Sequence, residues 1–93
     1  EDGKIASLLQ FFNIKMIGPS IESSVISYNK FFTKSYAREL GVSVLDYLLV
    51  RSGEEYQPKK FPVIIKPVHL GSSIGVTIAN NIDEFQYGLD VAF

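Results

Sequence analysis

No cysteine occurs in the 93 residues, so disulfides and thiolate-held metals are excluded, and a reducing cytoplasm is permitted. No apolar run approaches the roughly 18 residues that a membrane-spanning helix requires, and no basic-then-apolar segment opens the chain as a secretory signal would. An excess of one charge is missing too: 9 lysines and arginines face 10 aspartates and glutamates, for a formal net charge of −1. Such a balance has neither the basic footprint of a nucleic-acid binder nor the charge excess of a disordered chain. Internal repeats and low-complexity tracts are absent as well. What is present is 46% hydrophobic residues, which suits one small domain whose core is limited by its surface-to-volume ratio.

Apolar spacing at Ile5, Leu8, Leu9 and Phe12 predicts an amphipathic helix over residues 3–12, and residues 14–17 read as a short strand ending at Gly18-Pro19. Ser20 is an N-cap for a second helix, and Ile21, Val25, Tyr28, Phe32, Tyr36 and Leu40 keep helical spacing behind it. Asn29 can cap a new helix at Lys30, so two consecutive helices with a kink near Asn29 are expected, stopped by Gly41. Residues 42–50 read as a strand, 51–60 as a solvated loop, and 61–66 as a strand covered on both faces. Residues 76–79 should pair with it antiparallel. Asn81 and Glu84 form a capping box for a last helix with Phe85, Leu89 and Phe93 on one face. The expected class is α+β, with helices on one face of a mainly antiparallel sheet. Because a helix opens at the first residues and Phe93 falls inside an amphipathic pattern with no cap after it, the chain is expected to be an interior piece of a longer protein.

The stretch FPVIIKPVHLGSSIGV, residues 61–76, carries the chemistry. An apolar strand ends in Lys66, and the connection that follows is longer than a two-residue hairpin turn. Its glycines allow close approach and positive φ, and its serines and free N–H groups can face one concavity, as in phosphate cradles. A lysine in that place calls for an anion. The bland reading is a serine-rich turn whose lysine reaches solvent. The pattern matches neither the Walker A loop nor the dinucleotide-binding glycine motif.

"EDGKIASLLQFFNIKMIGPS", then "SYNK", then the 61–76 stretch stand in the order and spacing of D-alanine–D-alanine ligases, which the whole chain resembles. These are ATP-grasp enzymes, with the motifs G-E-D-G, M-D-K and K-P-x-x-x-G-S-S-x-G. The resemblance implies a central ATP-grasp subdomain over residues 20–93, incomplete, preceded at 1–19 by the C-terminal end of an α/β N-terminal domain. It implies an ATP-dependent ligase that joins two D-alanines for peptidoglycan through a D-alanyl phosphate. The partners would be ATP and D-alanine, with Mg²⁺ held by residues outside this chain, a cytoplasmic location, no nucleic acid or membrane, and a homodimer of the full-length protein left open.

Carried over by position, Lys66 and Lys30 would contact the nucleotide phosphates, and Gly71, Ser72, Ser73 and Gly75 would form the loop that covers them. Ser72 would also orient the first D-alanine, and Glu1 would support the substrate end of the site. Tyr28-Asn29-Lys30 departs from M-D-K by losing a charge while keeping a capping side chain. Leu70 stands where many members carry glutamate, and His69, where arginine is common, is left out of the catalytic set. As a lid, residues 68–75 are expected to be loosely ordered without nucleotide. Other readings stay open: a D-alanine–D-lactate or other carboxylate–amine ligase, or a non-catalytic nucleotide-binding module. The chain alone is expected to be inactive.

Overall fold

The computed structural model describes residues 1–93. Its elements are helices α1 (Lys4–Phe11), α2 (Ile21–Tyr28) and α3 (Lys30–Glu39), strands β1 (Val63–Ile65) and β2 (Thr77–Ala79), and helix α4 (Ile82–Ala92). They form two compact units, Glu1–Leu45 and Asp46–Phe93. The α+β class and the antiparallel pairing of the 61–66 and 76–79 stretches stand as expected from the sequence.

In the first unit, three helices of 8, 8 and 10 residues are each shorter than the roughly 12–15 residues at which isolated helices become marginal in water. Caps and short contacts therefore carry much of their stability. Gly3 caps α1 at φ 83, and the Asp2 carboxylate accepts from the Lys4 N–H at 3.1 Å. A Cβ on Gly3 would stand 3.5 Å from the Cβ of Ser24, which is buried, so α1 meets α2 through small residues. Ser20 Oγ accepts from the Ser23 N–H at 3.1 Å, as its N-cap role requires. Asn29 ends α2 and caps α3, its Oδ1 accepting from the Phe32 N–H at 3.0 Å. The expected kink is thus a change of helix. Gly41, at φ 76, follows α3, and the Val42 N–H returns to the Ala37 carbonyl at 2.9 Å, which takes up a carbonyl that the helix end leaves over.

Two strand expectations fail here. Residues 14–17 and 42–50 are irregular: the sheet has two strands, Val63–Ile65 and Thr77–Ala79, and neither stretch joins it. The apolar stripe of α1 also stays largely open: Ile5, Leu8 and Phe12 are exposed and Leu9 is half-buried.

The second unit is organised by α4 lying on one face of the hairpin. The strand register pairs Val63 with Ala79, Ile64 with Ile78 and Ile65 with Thr77. Ile65, Ala79 and Phe85 are the buried apolar residues, with Phe61, Val63, Leu89 and Ala92 packed around them. The Tyr56 ring meets the Phe85 ring edge-on at 6.1 Å. Ile64 and Ile78 point to the opposite face, 55% and 61% exposed, so β1 is covered on one face and not on both as its apolar run implies. Phe93 likewise leaves the Phe85–Leu89 face and is exposed, since it lies one residue past the end of α4.

Helix α4 starts with the capping box read from the sequence. The Glu84 N–H donates to Asn81 Oδ1 at 2.9 Å, while the Glu84 carboxylate accepts from the Asn80 N–H at 2.8 Å and from the Asn81 side chain at 3.0 Å. Midway along α4, Gly88 is buried against the strands. A Cβ there would come 2.9 Å from Ile65 Cδ1 and 3.3 Å from Thr77 Cβ, so the missing side chain sets how closely helix and hairpin approach.

Two outcomes follow from this packing. Gly88→Val should destabilise the protein by about 2 kcal/mol through overpacking. Gly88→Ala should cost far less, because the helix propensity of alanine over glycine returns about 1 kcal/mol; thermal unfolding of both variants checks the order. The Asn80 N–H and side chain, with the Asn81 side chain, hold the Glu84 carboxyl below its usual range. The folded form therefore binds the Glu84 proton less readily, and its contribution is full above the ordinary glutamate range and lost as pH falls through the lowered value. Glu84→Gln should flatten the acid limb of the stability–pH curve.

Candidate functional site

Strand β1 ends at Ile65, and Lys66 is the next residue. Ile65 is buried under α4 while Lys66 is exposed, so the alternation of a strand sends the lysine away from the core. Lys66 takes part in neither the Lys4–Asp2 nor the Arg51–Glu54 ion pair, and its exposed ammonium is open to an incoming anion. Pro67, directly behind it, is buried.

The loop at 71–75 consists of two successive turns. The Ile74 N–H returns to the Gly71 carbonyl at 3.0 Å, and the Val76 N–H to the Ser73 carbonyl at 3.1 Å. Ser72 and Ser73 both have positive φ, 51° and 60°, and Gly75 follows at 70°. Positive φ is routine for glycine and uncommon for serine. Two adjacent serines held there mark stored backbone strain, which concentrates at binding sites. The turns use the N–H groups of Ile74 and Val76 and leave those of Gly71, Ser72, Ser73 and Gly75 outside the backbone hydrogen bonds. All four residues lie at the surface except Gly75, which is half-buried. Unused backbone donors beside a lysine are the chemical elements from which an anion site is built.

The other sequence candidates belong to the first unit. Lys30 is the first residue of α3, half-buried, directly after the Asn29 cap. Its place at a helix N-terminus adds the partial positive charge of the first turn to its own. Glu1 is exposed and forms no part of the α1 cap; Asp2 does that work. His69 and Leu70 lie exposed between Pro67 and the loop.

The motifs contain Pro67, Gly75 and Asp2 but do not say what each of them touches. The buried ring of Pro67 and the close approach of Gly75 to it, where a Cβ would come within 2.7 Å of Pro67 Cγ, have no sequence signal beyond the K-P and final glycine themselves. Asp2, adjacent to Glu1, has its carboxyl held below the usual range by the Lys4 N–H and then by the Lys4 side chain. No group of three or more His, Cys, Asp or Glu side chains is placed to hold a metal ion.

The fold is that of one segment of the D-alanine–D-alanine ligases of known structure. It superposes on the crystal structure of D-alanine–D-alanine ligase from Helicobacter pylori with a TM-score of 0.91 and 48% identity, covering 100% of this chain and 31% of that one. The ligase from Bacillus anthracis gives 0.89 at 30% identity, with 100% and 32% covered. Among curated proteins, the D-alanine–D-alanine ligase of Wolinella succinogenes is 60% identical over 94 aligned positions, and that of Nitratiruptor 58% over 98; all of this chain is covered in both cases. The family model described as D-ala D-ala ligase C-terminus matches residues 36–93. The chain belongs to the D-alanine–D-alanine ligase family. It spans about a quarter of the length of those curated relatives, 27% and 28%.

The cap ahead of Lys30 gives a direct test. Asn29→Ala should cost about 1 kcal/mol of stability, the usual loss for an N-cap, whereas Asn29→Asp, which restores the M-D-K acid, should retain it. Denaturant unfolding of the pair reads the difference.

Proposed function

We propose that this chain supplies the phosphate-handling part of an ATP-dependent D-alanine–D-alanine ligase. The observation that carries the reading is the exposed Lys66 beside a strained loop whose N–H groups are left over, in a chain that belongs to this ligase family. Residues 20–93 form the central ATP-grasp subdomain in this reading, and residues 1–19 the tail of the N-terminal α/β domain. The product is the dipeptide used in peptidoglycan, and the reaction, which draws on ATP, takes place in the cytoplasm.

The chemistry is two transfers. A carboxylate oxygen of the first D-alanine attacks the γ-phosphorus of ATP and expels ADP, giving D-alanyl phosphate. The amine of the second D-alanine then attacks the acyl carbon, loses a proton, and expels inorganic phosphate as the peptide bond forms. Phosphoryl transfer of this kind depends on placement and charge neutralisation more than on covalent help from the protein. Lys66 and Lys30 neutralise the phosphate oxygens. The N–H groups of Gly71, Ser72, Ser73 and Gly75 close over them and exclude water. The Ser72 hydroxyl orients the first D-alanine, and Glu1 supports that end of the site. Mg²⁺, held in this reading by residues outside this chain, would neutralise phosphate charge when bound.

Phosphate release from ATP by the complete ligase carrying these residues, with and without D-alanine, tests the reading. Release should depend strongly on D-alanine, and Lys66→Met should lower kcat/KM by about a hundredfold or more. Release that ignores D-alanine would move the function to another carboxylate substrate, and nucleotide binding without any release would leave a binding module. The 93-residue chain alone should form no dipeptide.

A further inference from the structure

Gly75 sits where the second turn of the loop comes back against the start of the loop. Its Cα faces the buried ring of Pro67: a Cβ would stand 2.7 Å from Pro67 Cγ and 3.4 Å from Cδ, with the Val91 carbonyl oxygen of α4 at 3.6 Å behind. Carbon atoms attract at about 3.5–4.0 Å, so a separation of 2.7 Å forces a displacement. Pro67 can answer only by the small shift of a ring pucker, because its ring is closed onto its own backbone nitrogen. What the pucker does not absorb passes to the backbone of residue 67, and the neighbouring residue is Lys66. Nor can residue 75 simply withdraw, since the Val76 N–H bond to the Ser73 carbonyl holds the turn around it.

We infer that Gly75 is a positioning residue that acts through Pro67 on Lys66: its bare Cα lets the far end of the loop seat on the proline ring and so fixes where the lysine leaves the strand. This rests on the proposed role of Lys66 at the nucleotide phosphates and deepens it. The loop is then not an independent flap. Its C-terminal end is the abutment for the backbone of the cation it works beside, and one steric contact sets the geometry of both.

A double-mutant cycle in the complete ligase tests this, with ATP affinity measured by equilibrium binding and KM against kcat by steady-state kinetics. Gly75→Ala should weaken ATP binding about tenfold or more, as expected of an overpacked contact. Adding Pro67→Ala should restore most of that loss, since it removes the atom the new Cβ meets; Pro67→Ser serves if the alanine variant does not fold. The conformational strain of alanine at positive φ is the same in both backgrounds and cancels in the cycle. In a Lys66→Met background, Gly75→Ala should weaken ATP binding by clearly less than in the wild type. Equal loss with and without the proline ring, equal loss with and without Lys66, or a lower Tm with unchanged ATP parameters would each overturn the inference. Lys66→Met without effect on ATP would instead defeat the underlying functional reading, so the two failures are distinguishable.

Discussion

Everything in the second unit depends on Phe85 of α4 packing against Ile65 of β1 and Ala79 of β2. These three form the buried hydrophobic cluster, and truncating a buried phenylalanine costs about 3–5 kcal/mol in typical cores. With so few buried groups, no other contact can take over. Ile65 is the residue before Lys66, and Thr77 begins the strand that leaves the loop, so the helix that buries the first also holds both ends of the 66–76 connection. Gly88 sets the depth of that packing, because a side chain there would meet Ile65 and Thr77 at once.

The loop shows the opposite economy. Its residues are mostly exposed, its serines take positive φ, and only two backbone hydrogen bonds close it. Each non-glycine residue in the left-handed region costs on the order of 1–2 kcal/mol, which must be offset elsewhere in the unit. A rigid helix–hairpin core holding a strained connection is the arrangement by which a surface segment keeps its donors pointing outward. The proposed abutment of Gly75 on Pro67 is where the two meet.

In the first unit, side-chain caps do what a core does in the second. Ser20, Asn29 and Asp2 each take up a helix N–H, and the small residues Gly3 and Ser24 allow α1 and α2 to approach. The Ser20 and Asn29 caps were legible because a cap is a local event: donor and acceptor lie three residues apart, and residue type nearly decides the geometry. The same holds for Asn81 with Glu84. The glycine–serine loop and the lysine before it stand out as candidates for a similar reason, since the residue types needed for close approach and charge are adjacent in the chain.

Local pattern by itself determined the four helices with the caps at Ser20, Asn29 and Asn81 and the antiparallel pairing around Lys66, and the quoted motifs carried the resemblance to the family. Tertiary structure alone decided whether an extended apolar stretch becomes a strand. Residues 14–17 and 42–50 have strand-like composition but no neighbouring strand, and backbone pairing between strands is a property of two segments, not one. It also decided that Ile64 stays open while Ile65 is buried, that Gly88 is a contact and not a weak point in a helix, and that Gly75 meets Pro67. Each of these joins segments brought together only by folding, where distances of a few tenths of an ångström separate contact from clash.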